Sequence, residues 1–264
     1  MREIDEPVQI GEGTEIIGEN VKIGKFTRIG KNCYLKGTDI TIGNHCFIGN
    51  EVKTDGGGAG NSSLYIGDKC LICDRVVLNN SSEIHIGNDS ALGAETIVWT
   101  HGSFYPVLLG GAATFKPVKI GNYVWIPPRC QILSGVTIGD HVCVGTGSVI
   151  SKNLPSGCLA WGVPAVILKE NLYPKKLSTE QKEEIIDNII RDYDPVMKRK
   201  GFYRKIERDG LIIRFGNSDA SVEFDCENMK VTGQSDEYSE YFRDYLRRRG
   251  IRIFTDSFFS TSHS

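Results

Sequence analysis

Aliphatic residues recur along the first 150 positions with a period of six. The pairs Ile10-Gly11, Ile23-Gly24, Ile29-Gly30, Ile42-Gly43, Ile48-Gly49, Ile66-Gly67, Ile86-Gly87, Leu92-Gly93, Ile120-Gly121, Ile138-Gly139 and Val144-Gly145 mark it. The run is unbroken through Ile120, Ile126, Ile132, Ile138, Val144 and Ile150. Four places after each aliphatic stands a small or β-branched residue, among them Thr14, Thr27, Cys33, Cys46, Cys70, Ser90, Cys130 and Ser148. A period of six matches neither the helical 3.6 nor the strand alternation of 2. It predicts short strands joined by turns, three to each coil of a solenoid, with about six coils over residues 10 to 150. The glycine after each aliphatic is expected to free the corner for φ values that a Cβ disfavours. Spacings of seven, from 16 to 23 and from 35 to 42, predict bulged corners. Two longer interruptions, 53–63 and about 99–118, predict loops that leave the coil.

Beyond Lys169 the texture changes. Ser178-Thr179-Glu180-Gln181 has the form of a capping box, followed by the apolar stripe Ile185, Ile186, Ile189 and Ile190 of a helix. Short strands are predicted at 204–207, 211–215, 221–225 and 229–232, a second helix at 236–249, and a strand at 251–254. The chain therefore divides into a repeat domain, residues 1–170, and a small α+β domain, residues 171–264. No motif assigns the second domain a role.

Composition narrows the function classes. Lys+Arg 31 against Asp+Glu 33 gives a formal charge of −2, which argues against a mainly electrostatic nucleic-acid or membrane-surface binder. Acidic residues stand near Met1 where a signal peptide would be basic, and no run approaches the ~18 apolar residues of a spanning helix. The expectation is a cytoplasmic protein. Of the eight cysteines, Cys33, Cys46, Cys70 and Cys130 fall in the small interior column, where a thiol acts as a compact apolar group. Packing accounts for Cys70-Leu71-Ile72-Cys73 better than metal or redox work.

Chemistry is expected in the loops that leave the solenoid. His101 stands in the second, and its imidazole can take and return a proton near neutral pH. His45 and His141 fall at exterior turn positions, His85 precedes a ladder residue and His263 lies in the tail. No closely spaced histidine pair suggests a zinc site. Asn79 and Asn80, one coil earlier, are candidate contacts for substrate hydroxyls, with ladder packing or a solvated turn as the alternative. Phe104, Tyr105 and Phe115 offer faces to a substrate, or pin the loop.

The repeat resembles that of the hexapeptide-repeat acyltransferases, and the Thr100-His101 loop followed by Val118–Ile126 is similar to the galactoside and maltose O-acetyltransferase branch. Residues 118–169 carry the strongest resemblance, in Trp125-Ile126, in Val144-Gly145-Thr146-Gly147-Ser148 and in the exit motif Gly162-Val163-Pro164-Ala165. It implies a left-handed parallel β-helix, assembly as a homotrimer with active sites between subunits, and acetyl-CoA as donor. Trp125, Thr146, Ser151, Lys152 and Lys169 are implied as acetyl-CoA contacts; a packing aromatic and solvated lysines are the bland alternatives. No metal is implied. Pro127 and Pro128 depart from the pattern: Pro128 stands where some relatives offer a backbone N–H near the thioester, and proline has none. The implied activity is O-acetylation of a sugar or glycan precursor with His101 as general base. An N-acetyltransferase of an amino sugar nucleotide and a non-catalytic scaffold are the competing readings.

Overall fold

The computed structural model describes residues 1–56, 62–199, 201, 205–215 and 222–259, in two compact units, Met1–Lys175 and Lys176–Ser264. Of the expected 53–63 loop, residues 57–61 lie outside the described residues, as do the first residues of the strands expected at 204 and 221, Lys200 and His263.

The first unit is a solenoid of parallel strands, three to a coil. Its second face carries the rungs Ile10, Ile29, Ile48, Ile72, Leu92, Ile126, Val144 and Ala160, so the coil is eight rungs deep there, beyond the expected six. The first face stacks Ile23, Ile42, Ile66, Ile86, Ile120 and Ile138, and the third stacks Leu35, Thr54, Leu78, Val98, Ile132 and Ile150. Apart from Ile10, which is exposed at the first rung, these residues point inward and are buried, and the apolar ones form one core that also takes in Cys33, Cys46, Cys70 and Cys130. Each strand donates its amides to the next coil, for example Gly30 N–H to Ile48 O at 2.8 Å. A short strand of two or three residues is thus satisfied on both sides without a partner of its own coil.

The corners differ from expectation. The glycines after the aliphatics do not carry the left-handed φ. It falls two residues later, on Phe26, Asn32, His45, Glu51, Lys69, Arg75, Asp89, Glu95, Tyr123, Arg129 and His141, at φ 54–62°. The glycines answer to a different constraint, because a Cβ on Gly30 would lie 2.6 Å from the carbonyl carbon of Gly49 in the next coil. At most of these corners the position before the left-handed residue holds an Asn or Asp whose side chain caps the preceding coil, while Lys25, Lys31, Ala94 and Pro128 stand there at the others. On the corner after the first face, Asn44, Asp68, Asn88, Asn122 and Asp140 each accept the amide of the equivalent residue one coil back, at 2.7–2.8 Å. The expected bulged corners at 16–23 and 35–42 are instead unbroken strands, Glu15–Ile23 and Tyr34–Ile42, paired in register on both sides of Gly18 and Gly37. The extra residue carries extended backbone round the corner without a turn.

The unit continues past residue 170, because the amides of Leu172 and Tyr173 return to the Gly157 carbonyl. The second unit holds helix Thr179–Arg199, a four-stranded antiparallel sheet over Ile206–Thr232 and helix Glu237–Arg248. Ser178 and Gln181 form the expected box at the first helix. Ile186, Ile189, Tyr193, Phe215, Phe224 and Phe242 form its core. Residues 251–254 form no strand: the Ile251 amide closes the helix on Leu246 O, and Ile253 is buried as a plug. Arg247 and Arg248 pair with the buried Asp244, and Arg249 lies over the Tyr245 ring.

Candidate functional site

Val98 is a buried rung of the third face, and the chain leaves the coil just after it. Thr100 anchors the departure. Its hydroxyl donates to Asn79 O at 2.6 Å and accepts the Ser82 amide at 2.8 Å, while its carbonyl accepts Ser134 Oγ and the Lys116 amide, both at 2.9 Å. His101 and Gly102 then pair antiparallel with Phe115 and Thr114, closing the neck of the loop. Beyond the neck, Phe104, Tyr105 and Leu108 are exposed.

The His101 ring is half-buried at this corner. Nδ1 lies 2.7 Å from Asn79 Oδ1 and 3.2 Å from Ser81 Oγ. Phe115 stacks on the ring with centroids 5.7 Å apart and planes 16° apart, and Trp99 meets it edge-on at 6.3 Å. Nε2 makes no hydrogen bond among the described residues.

The two asparagines expected to meet a sugar are instead built into the coil. Asn79 is 2% exposed and Asn80 0%. Asn79 Nδ2 donates to Asp55 O, and Asn80 Nδ2 donates to Lys36 O at 2.8 Å and Ser62 O at 3.3 Å. Enclosure leaves neither amide facing solvent in this chain, so the acceptor contact is corrected to a scaffold contact. Ser81 was not singled out by sequence reasoning; the available signal was the coil offset of 20 that pairs Asn79 with Trp99.

The remaining candidates fall into two groups. Ser151 and Lys152 follow the strand Val149–Ile150, whose stack leads through Gln131–Ile132 to Ile97–Trp99, so they share the corner of His101 two coils further on. Trp125 stands on the outside of the second face, Thr146 at the corner after it, and Lys169 on the hairpin strand Ala165–Lys169 that covers its last rung. All five side chains are exposed, and Lys152 and Lys169 form no ion pair among the described residues. In a three-sided coil the second face lies opposite the corner between the third and first. One chain therefore does not bring the imidazole and Trp125 together.

Pro127 and Pro128 lie against Gly93, where a Cβ would be 2.3 Å from Pro128 N. Beside them Glu95 is held between Arg129 and Arg75, at 2.7 and 2.9 Å, which keeps its carboxyl below the ordinary range. Burial raises the thiol pKa of Cys33 and Cys130, and the neighbouring Cys70 thiol, with burial behind it, raises that of Cys46. No cluster of three metal-ligating side chains occurs among the described residues, and no helix there is long and apolar enough to cross a membrane.

Residues 117–152 match the family described as bacterial transferase hexapeptide (six repeats). The bifunctional protein GlmU of Acinetobacter baylyi is 33% identical over 166 residues, covering 61% of this chain and 30% of that protein. Galactoside O-acetyltransferase of Escherichia coli K12 is 27% identical over 152 residues, covering 55% and 64%. The chain thus spans less than two thirds of either relative. Among solved structures, a hexapeptide-repeat acetyltransferase of Vibrio cholerae, VCA0836, is 31% identical, with 41% of this chain and 62% of that one covered and a TM-score of 0.38. The family match over residues 117–152 agrees with the six-residue ladder and the three-sided parallel coil that continue through the rest of the solenoid.

Proposed function

We propose that this chain is an acetyl-CoA-dependent O-acetyltransferase acting in the cytoplasm on a sugar or glycan precursor of the surface-polysaccharide type. In this reading the solenoid is a left-handed β-helix and the active sites lie between the subunits of a homotrimer. The observation that carries it is the His101 imidazole, fixed at a solenoid corner by one ring nitrogen while the other makes no hydrogen bond among the described residues. Similarity to a galactoside O-acetyltransferase supports a sugar hydroxyl as acceptor.

The chemistry is direct transfer. Nε2 of His101 takes the proton of the acceptor hydroxyl as that oxygen bonds to the acetyl carbonyl carbon. The tetrahedral adduct then collapses, the carbon–sulfur bond breaks, and the imidazolium returns the proton to the CoA thiolate. No nucleophilic serine or cysteine is required. Exposed Lys152 and Lys169 suit the CoA phosphates, and Trp125, Thr146 and Ser151 suit the pantetheine arm. Pro128 cannot donate to the oxyanion, which requires another donor.

The test is acetyl transfer to paired hydroxyl and amine forms of several sugars, alongside thermal unfolding with and without acetyl-CoA. Saturating donor, at a hundred times its Kd, stabilises by about 2.7 kcal/mol. His101→Ala is expected to keep that stabilisation and lose roughly 100-fold or more in kcat. Preference for the amine forms would favour the N-acetyltransferase reading. Unchanged turnover in His101→Ala, or no stabilisation by acetyl-CoA, would sink the proposal.

A further inference from the structure

We infer that Asn79 is a positioning residue: it fixes the ring proton of His101 on Nδ1, leaves the lone pair on Nε2, and does so as a neutral amide. The catalytic consequence rests on the reading of His101 as general base; the proton assignment does not. The amide orientation follows from its other partner. Asn79 Nδ2 donates to the carbonyl of Asp55, so the atom facing the imidazole at 2.7 Å is Oδ1. An amide oxygen only accepts, and Nδ1 must therefore carry the hydrogen. Ser81 Oγ, at 3.2 Å from the same nitrogen, accepts the same proton more weakly.

The support is rigid on every side. Asn79 is buried, its carbonyl takes the Thr100 hydroxyl at 2.6 Å, and its strand pairs in register with the strand that ends at Trp99. Phe115 and Trp99 confine the ring plane. The residues that touch the imidazole, Asn79, Ser81, Trp99 and Phe115, are all uncharged. The nearest charged residues along those segments are Lys116, next to Phe115, and Glu83, whose carboxylate is paired with His85 at 3.1 Å. An aspartate in place of Asn79 would set a negative charge against Nδ1–H and favour the imidazolium, raising the pH at which the base becomes available.

Nitrogen-15 NMR of histidine side chains in the unliganded full chain reads the tautomer directly, with His101 assigned by His101→Gln. The expected spectrum at alkaline pH has protonated Nδ1 and unprotonated Nε2. In kinetics, Asn79→Asp should move the acidic limb of the kcat profile upward by about 1 pH unit or more. Asn79→Leu should lower kcat at least about tenfold, with KM for acetyl-CoA nearly unchanged. A wild-type spectrum with the proton on Nε2 overturns the inference, whether or not either variant folds. So does an unshifted profile in a folded Asn79→Asp. If the tautomer is as expected but His101→Gln transfers acetyl at the wild-type rate, the proton assignment stands and the catalytic reading falls.

Discussion

Two residues of each corner turn share the work that the sequence reading gave to one. Glycine follows the aliphatic because the next coil is too close for a Cβ, whereas the left-handed residue two places on carries its side chain on the outside of the corner, where Tyr123 stacks on His141 and Arg75 pairs with Glu95. The contrast is measurable. Gly30→Ala puts a Cβ 2.6 Å from Gly49 backbone and should cost about 1–3 kcal/mol of stability in thermal or urea unfolding. Glu51→Gly relieves a φ of 58° and adds chain entropy to the unfolded state, so its net effect should stay under about 1 kcal/mol. If the alanine were neutral and the Glu51→Gly variant strongly destabilised, the assignment of the two roles would be reversed. The sequence misleads here because the steric constraint comes from a residue 19 places away, about one interstrand spacing along the axis. Asn79 misleads for the same reason: its partners, His101 and Asp55, lie one coil to either side.

At the scale of the element, the rungs were legible and the caps were not. An aliphatic every six residues is a signal within one coil, repeated until chance is excluded; it located the rungs and the departure from the coil that carries His101. The Asn and Asp column is polar and occupies exposed turns, where such residues are common for reasons of local conformation alone. Only stacking shows that each side chain satisfies an amide of the preceding coil. Strands of two residues have few bonds of their own, so these caps contribute to holding coil on coil. Asn88→Ala strips the acceptor from the Asp68 amide, a bond of 2.8 Å, and should cost roughly 1 kcal/mol. Asn88→Ser should recover part of it, since Ser156 Oγ already performs this role for the Asp140 amide at 3.0 Å. Equal unfolding midpoints for Asn88→Ala and the wild type would show that solvent serves the Asp68 amide as well as the side chain does.

The whole molecule poses a geometric problem that no single residue discloses. His101 with Lys152 and Trp125 with Thr146 lie on opposite sides of one solenoid, yet the direct transfer proposed above needs the imidazole and the thioester within reach of the same hydroxyl. Two copies related by a rotation solve it, the corner of one facing the second face of the next, and a closed ring repeats the arrangement without leaving an open interface. Mixed assemblies test this without knowledge of the natural acceptor's exact identity. His101→Ala and Trp125→Ala are each expected to be nearly inactive alone. When equal amounts are dissociated and reassembled at random, a site is intact when its imidazole comes from the Trp125→Ala copy and its indole from the His101→Ala copy. That combination arises at about a quarter of the interfaces in a cyclic assembly, so about a quarter of wild-type acetyl transfer should return. Light scattering on the same sample should give three times the chain mass of 29.2 kDa. Reassembled trimers without recovered activity would place imidazole and indole in separate functions, and a monomer that transfers acetyl groups would require a complete site within one coil.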